Sequence, residues 1–245
     1  VSDFGGLDAC LRSKNGRKAK RGEAPKLINI PRNWLHQALR YMDNGERISR
    51  LFVEFIEFVV VFFAMNVVAG WNQLVSLSLS LIVVHSWNWV TNGLFWSVMI
   101  FSFPTLRNPG AHATVLYLNQ MRKRLLDSES ISGVAIYGSV SRGAWHDRSD
   151  IDIRFLRRPG MKALLVSVWI TMRERFIALL FKQPMDLYLA DDIDFLKKMR
   201  SDERPLFTLC RDERLQLLYP DCSEREVSMR DLVSEKPKDC MVTAS

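Results

Sequence analysis

Ile136-Tyr-Gly138-Ser139-Val-Ser-Arg142-Gly143-Ala-Trp-His-Asp-Arg-Ser-Asp150-Ile151-Asp152-Ile153 is the stretch around which the rest of the chain organises itself. A short apolar run ends in Gly-Ser, and Asp-x-Asp follows ten residues later inside a second apolar run. Residues 134–137 read as a buried strand and residues 149–156 as the next one. On a strand, side chains two apart share a face, so Asp150 and Asp152 present two carboxylates side by side. Such a pair repels unless a cation lies between them, and a divalent ion is the usual solution. Gly138 lets backbone approach a ligand closely. Ser139 adds a hydroxyl, and the turn after it adds N–H groups suited to phosphate oxygens.

On these residues the segment resembles the nucleotidyltransferase superfamily that includes DNA polymerase beta, most closely its minimal nucleotidyltransferase branch. An apolar residue, Gly-Ser, a gap of about ten residues and Asp-x-Asp in apolar surroundings make up the shared pattern, carried here by Gly138, Ser139, Asp150 and Asp152. The resemblance spans roughly residues 113–220. It implies an α/β fold with a small mixed sheet and a third carboxylate on a neighbouring strand. Pro184-Met-Asp186-Leu-Tyr188-Leu-Ala reads as that strand, with residues 161–181 as the connecting helix. The resemblance then implies that Asp150, Asp152 and Asp186 are the catalytic, metal-binding residues and hold two Mg²⁺ ions. Gly138 and Ser139 would contact the triphosphate of a nucleotide such as ATP. Asp191, Asp192 and Asp194 read instead as an N-cap and first turn of a following helix.

Three arginines lie near this pattern. Arg154 shares the alternation of Asp150 and Asp152, where a guanidinium can pair with a carboxylate or bind phosphate. Arg142 follows Gly138-Ser139 directly and is the better placed of the loop arginines to reach phosphate oxygens; Arg148 is the other. His146 reads as a loop residue. Arg142 and Arg154 therefore join Gly138 and Ser139 as expected nucleotide-binding residues.

With 245 residues there is room for one catalytic domain and a second unit of similar size. The net charge is +7, and the basic excess clusters at Arg12, Lys14, Arg17, Lys18, Lys20 and Arg21. Residues before 26 read as disordered. Cys10, Cys210, Cys222 and Cys240 form no CxxC pair, which suggests a reducing compartment and no disulfide framework.

The second unit is apolar. Residues 51–70 are long enough to span a bilayer. A break at Trp71-Asn-Gln follows, and residues 74–103 form a second run that ends at Pro104. A transmembrane hairpin is the simplest reading; a buried hairpin that dimerises a soluble protein is the alternative. Glu54 and Glu57 count against a span, at about 2.5–3.5 kcal/mol for a carboxylate at the centre, but they lie near its start. Arg40, Arg47 and Arg50 precede the hairpin, Arg107, Arg122, Lys123 and Arg124 follow it, and the turn carries no charge. The positive-inside rule therefore places both ends, and the catalytic domain, in the cytoplasm. His85, Asn88 and Asn92 form one polar stripe on the second helix. They would hold the head group of a lipid-linked acceptor, or hydrogen-bond to the first helix or to a second copy of the protein.

The remaining expectations are scaffold. Residues 31–43 read as an amphipathic helix, with Trp34, Leu35, Ala38, Leu39 and Met42 on one face, and residues 113–126 as the helix before the first catalytic strand. Residues 205–219 read as two strands around a charged turn. The chain thus divides into a basic segment (1–50), a hydrophobic hairpin (51–104), a nucleotidyltransferase domain (105–220) and a flexible tail (221–245). The function expected is membrane-anchored transfer of a nucleoside monophosphate from a nucleoside triphosphate to an acceptor such as a glycan or lipid precursor, with release of pyrophosphate. The lipid bilayer is the expected partner, with a homodimer as a further possibility. The alternatives are a soluble nucleotidyltransferase of toxin–antitoxin or small-molecule-modifying type, and a non-catalytic nucleotide-binding or assembly module.

Overall fold

The computed structural model describes residues 28–37, 39–92, 94–197, 204–220 and 222–232. The expectations for the basic segment before residue 26 and for Ala38 lie outside them. Four strands form one mixed sheet in the order β3-β2-β1-β4. They are β1 (Ile131–Tyr137), β2 (Ile151–Arg157), β3 (Met185–Ala190) and β4 (Leu206–Cys210). β1 pairs antiparallel with β2 and with β4, whereas β2 and β3 run parallel. A parallel pair needs a long crossover, and the helix Met161–Leu180 provides it.

Alternation along these strands sorts the chemistry. Ile136, Ile151, Ile153, Phe155, Leu187 and Leu189 all face one side and belong to one buried cluster. The helices Ala111–Leu126 and Met161–Leu180 cover that side with Leu118, Met121, Leu125 and Ile170. Each such aliphatic side chain contributes about 1.5–3 kcal/mol when fully buried. The other side carries Ala135, Tyr137, Leu156 and Phe207 at the β4 end. Toward the β3 end the same side carries Asp152, Arg154, Asp186 and Tyr188, paired Asp152 to Asp186 and Arg154 to Tyr188 across β2 and β3.

Before the sheet come α1 (Asn29–His36), α2 (Asn44–Phe63, continued by a π-helical turn Ala64–Val68), α3 (Gln73–Asn92), α4 (Phe95–Ser102) and α5 (Ala111–Leu126). α6 is the single turn Gly138–Ser141, α7 the crossover, α8 Ile193–Lys197, α9 Glu213–Leu218 and α10 Met229–Leu232. Two helices are long and apolar enough to cross a membrane, Asn44–Val68 and Gln73–Asn92. The most apolar window of the first is wholly unburied, and Phe55, Val60, Phe63 and Val67 are exposed on it.

Several expectations change. The second apolar run is two helices, since α3 stops at Asn92 and α4 starts at Phe95; Asn-Gly at 92–93 is a helix-stop signal that outweighs continuous hydrophobicity. The amphipathic segment ends early, because Gln37 takes a left-handed conformation (φ 43°). Only the first half of the expected 205–219 hairpin is a strand. Glu213–Leu218 is helical because Asp212 caps it, accepting from the Arg214 N–H at 3.0 Å. α9 then packs on the sheet at Gly133, where a Cβ would lie 2.5 Å from Leu215 Cδ1.

The tail expected to be flexible is partly packed. Val227 and Leu232 are buried, and Asn119 exchanges two 2.9 Å hydrogen bonds with the Val227 backbone. The absence of disulfides is also overturned: Cys210 and Cys222 are bonded, with Cα atoms 6.8 Å apart. Spacing along the chain does not reveal a pair that a loop folding back over β4 creates. Disulfides belong to oxidising surroundings, so this bond pulls against the cytoplasmic placement that the charge pattern favours.

The hairpin is tied to the sheet edge by a buried polar clamp. Glu46, in the first turn of α2, pairs with Arg175 of α7 at 2.5 Å and accepts from the Leu189 N–H at 2.7 Å. Asp43 accepts from the Asp191 N–H at 2.9 Å, and Asp191 accepts from the Gly45 N–H at 2.6 Å. β3 is an edge strand whose outward N–H groups need partners. The start of α2 supplies them.

Candidate active site

Tyr137 ends β1, and the chain turns at Gly138 with φ +76°. A Cβ there would fall inside the Asp152 carboxylate. Glycine is therefore required twice, for the left-handed backbone and for the close approach. The turn that follows, α6, holds Ser139, whose hydroxyl donates to the Asp150 carbonyl at 3.4 Å. Gly138, Ser139 and the Asp150–Asp152 segment thus form one cradle.

Asp152 lies within β2 and stands opposite Asp186 of β3 in the parallel ladder. Asp150 precedes the first ladder residue, Ile151, rather than sitting on the strand. Burial, and then the neighbouring Asp152 charge, push the Asp150 carboxyl up to about 6 from an ordinary 3.8. Arg154 and Arg142 oppose that rise. Burial also raises the Asp186 carboxyl, with Arg154 again opposing. The Tyr188 phenol is pushed well up by burial and by Asp186.

Arg154 is buried behind the carboxylates. Its Nη1 donates to the Ile153 and Asp186 carbonyls at 2.8 and 3.0 Å, and its guanidinium lies 4.6 Å from the centre of the Tyr188 ring. Arg142 is exposed at the end of the cradle turn. Arg148 turns away, donating to the Ile100 carbonyl at 2.8 Å, and His146 is a loop residue whose Nδ1 accepts from the Arg148 N–H. Asp192 caps α8 as expected, accepting from the Ile193 N–H at 2.6 Å.

Three polar atoms in this patch are buried without a hydrogen bond of good geometry: Asp186 Oδ1, the Tyr188 hydroxyl and Arg154 Nε. Asp186 and Tyr188 still interact through a looser side-chain hydrogen bond, which works against the rise of the acid and adds to that of the phenol. Among the described residues, no three His, Cys, Asp or Glu side chains are gathered into ready-made ligand geometry. The donor set nevertheless suits a hard divalent cation, being all carboxylate oxygen. Tyr188 is the residue the sequence reading overlooked. Its signal was available, since it lies two residues after Asp186 on the same strand face.

Residues 118–207 match the family model of the nucleotidyltransferase domain. The match takes in β1 through the first residues of β4, with Gly138, Ser139, Asp150, Asp152 and Asp186, and is less than half of the chain; the two long apolar helices lie outside it. It supports that family for this segment, with nucleotidyl transfer as the general chemistry and a nucleoside triphosphate as the general substrate. The mixed four-stranded sheet is consistent with that domain. No curated protein matches the chain.

Proposed function

We propose that this chain is a membrane-anchored nucleotidyltransferase that moves a nucleoside monophosphate from a nucleoside triphosphate to an acceptor hydroxyl or phosphate and releases pyrophosphate. The observation that carries the reading is the juxtaposition of Asp152 and Asp186 across β2 and β3, with the Gly138 backbone against the Asp152 carboxylate. Asp150, Asp152 and Asp186 would hold Mg²⁺. When bound, Mg²⁺ neutralises the triphosphate and the leaving pyrophosphate and lowers the pKa of an attacking hydroxyl.

The chain's own groups do the rest. The Gly138-Ser139 turn receives phosphate oxygens through backbone N–H groups and the Ser139 hydroxyl. Arg142, at the open end of the turn, supplies positive charge to the triphosphate. Asp186 accepts hydrogen bonds from the acceptor and orients it for in-line attack. Arg154 is spent on backbone carbonyls and the Tyr188 ring. Its part is to offset the charge of Asp150 and Asp186 from behind and to fix the β2–β3 register. That is a narrower task than the phosphate contact expected for it.

Membrane anchorage rests on α2 and α3. The first candidate span is 25 residues and the second 20, which at 1.5 Å per residue gives α3 a length of about 30 Å, the thickness of the hydrocarbon layer. The two glutamates that weigh against a span are both paired. His85 Nδ1 meets Glu54 at 2.7 Å, and the Asn88 amide donates to Glu57. The polar stripe of α3 therefore faces α2, which favours the helix-to-helix role over direct presentation to an acceptor. The turn between the spans carries no charge, and the proposal places the catalytic domain on the cytoplasmic side, where nucleoside triphosphates are. The acceptor class that fits such an anchor is a glycan or lipid precursor.

The test is transfer from α-phosphate-labelled nucleoside triphosphates in membranes that carry the full chain. Label should enter the lipid or glycan fraction with Mg²⁺ and vanish with Asp152→Asn. Equal labelling by wild type and variant contradicts the proposal.

A further inference from the structure

A cavity of about 200 Å³ lies between α1, α2 and α3, away from the carboxylates. Trp34, Phe58, Leu81 and Ile82 contribute its apolar lining, and Glu54 and His85 supply its polar spot. An apolar cavity of about 150 Å³ already admits a benzene ring and stays dry, so this one has room for a stretch of hydrocarbon. Its mouth opens through the outer surface of the helices: Leu35, Leu81 and Ile82 are 61 %, 53 % and 53 % exposed. On the membrane reading, on which this inference rests, the medium against that mouth is lipid.

The polar spot has a defined bonding demand. His85 Nε2 meets the Trp34 carbonyl at 2.8 Å and Nδ1 meets Glu54 Oε1 at 2.7 Å. A carbonyl only accepts, so Nε2 carries hydrogen, and one further proton lies between Nδ1 and the carboxyl. Among the described residues the second oxygen of Glu54 has no hydrogen-bond donor. Glu57 stands one turn further along α2, bonded to Asn88. A head group that donates is therefore welcome here. A phosphate oxygen accepts, and the donors among the lining residues are already engaged, Trp34 Nε1 by Ser86 and both His85 ring nitrogens by the Trp34 carbonyl and Glu54, so an anionic head finds no partner here.

We infer that the groove between α1, α2 and α3 binds one hydrocarbon chain of an uncharged, hydroxyl-headed lipid, whose hydroxyl donates to Glu54. The Trp34 ring stands edge-on to the His85 ring, with centroids 4.7 Å apart, so any occupant touches a fluorophore. Gln37 links the groove to the sheet-side segment: its amide donates to the His85 carbonyl at 2.7 Å, and its side-chain oxygen accepts from Arg50 at 2.6 Å.

The experiment uses the full chain reconstituted in phosphatidylcholine vesicles, with a bromine-labelled long-chain alcohol as quencher and the corresponding alkyl phosphate as the comparison. Flotation of the vesicles first establishes insertion, and Trp34→Phe assigns the Trp34 share of the signal. The inference expects saturable quenching by the alcohol at a half-saturation at least about tenfold below that of the phosphate, the size of a hydrogen bond to a charged group. Glu54→Gln should erase that preference. Ile82→Phe, which narrows the mouth and leaves the polar pair untouched, should weaken binding of both probes. Protein that floats with the vesicles but shows only linear quenching, or equal affinity for alcohol and phosphate, overturns the groove and leaves the anchor standing. Protein that does not float overturns the membrane reading, and the lipid occupant with it.

Discussion

Replacing Asp150 by Asn should make the metal-free protein more stable at pH 8, the opposite of what removal of a structural carboxylate does. The Asp150 carboxyl is held at about 6 against an ordinary 3.8, through burial and then through Asp152. At 1.36 kcal/mol per pH unit, keeping it ionised in the folded state costs about 3 kcal/mol. Solvent reaches part of the side chain, so about 1–2 kcal/mol is the working figure. The sign follows from the raised value. The folded state binds the proton more tightly than the unfolded one, so the cost is present in full above pH 6 and disappears as pH falls from about 6 through 4. Asn keeps the shape and removes the charge. In EDTA at pH 8 the variant should melt about 2–8 °C above wild type, at about 2–4 °C per kcal/mol for a chain of this size. At about pH 3.5, below the unfolded value, the two should nearly coincide. Thermal unfolding by circular dichroism at both pH values reads this directly. A variant less stable than wild type at both would mean that Asp150 is a structural capping residue, and the site as drawn would be wrong.

Further outcomes are expected from the same geometry. Gly138→Ala places a methyl in the Asp152 carboxylate at a left-handed backbone position; nucleotidyl transfer should fall at least about 100-fold, or about 2.7 kcal/mol, while circular dichroism stays native. Glu46→Ala leaves the Arg175 guanidinium and the Leu189 N–H buried without their partner and should cost about 3–5 kcal/mol by denaturant titration, with Glu46→Gln milder. Mg²⁺ binding should weaken as pH falls through about 6, because the Asp150 carboxyl takes up a proton there; isothermal titration at pH 8 and 5.5 measures it. If the catalytic domain faces the cytoplasm, Cys210 and Cys222 should be thiols in intact cells and react with a permeant maleimide after denaturation. Protection until reductant is added would put that domain on the oxidising side.

The carboxylates were legible because their chemistry constrains their spacing. Asp152 and Asp186 lie on strands and face each other across β2 and β3, and alternation is visible in a sequence; Gly138 and Asp150 lie just off the strands, and there only the spacing of the pattern marked them. The mixed sheet followed from the same runs. What was not legible depends on contacts far apart along the chain. Glu46 and Arg175 are 129 residues apart, and nothing local marks either as half of a buried pair. Tyr188 was readable as a neighbour of Asp186, but its stack on Arg154 required the β2–β3 register. Leu215, Leu217 and Tyr219 alternate well enough to suggest a strand, and the Asp212 cap decided for a helix instead. Glu54 and Glu57 looked like liabilities in an apolar helix until His85 and Asn88 were seen opposite them. The polar stripe on α3 and the carboxylates on α2 are one feature, split by the turn between the helices.

Nucleotide binding by the purified full chain tests the central claim most directly. ATP, CTP, GTP and UTP would be titrated with and without Mg²⁺, against the Asp150→Asn/Asp152→Asn double variant. The account predicts Mg²⁺-dependent binding of at least one nucleotide, lost or reduced at least about tenfold in the variant, the least expected from losing charge-assisted contacts to the metal and triphosphate. A folded protein that binds none of the four, or binds equally well without Mg²⁺ and without the two carboxylates, would contradict it.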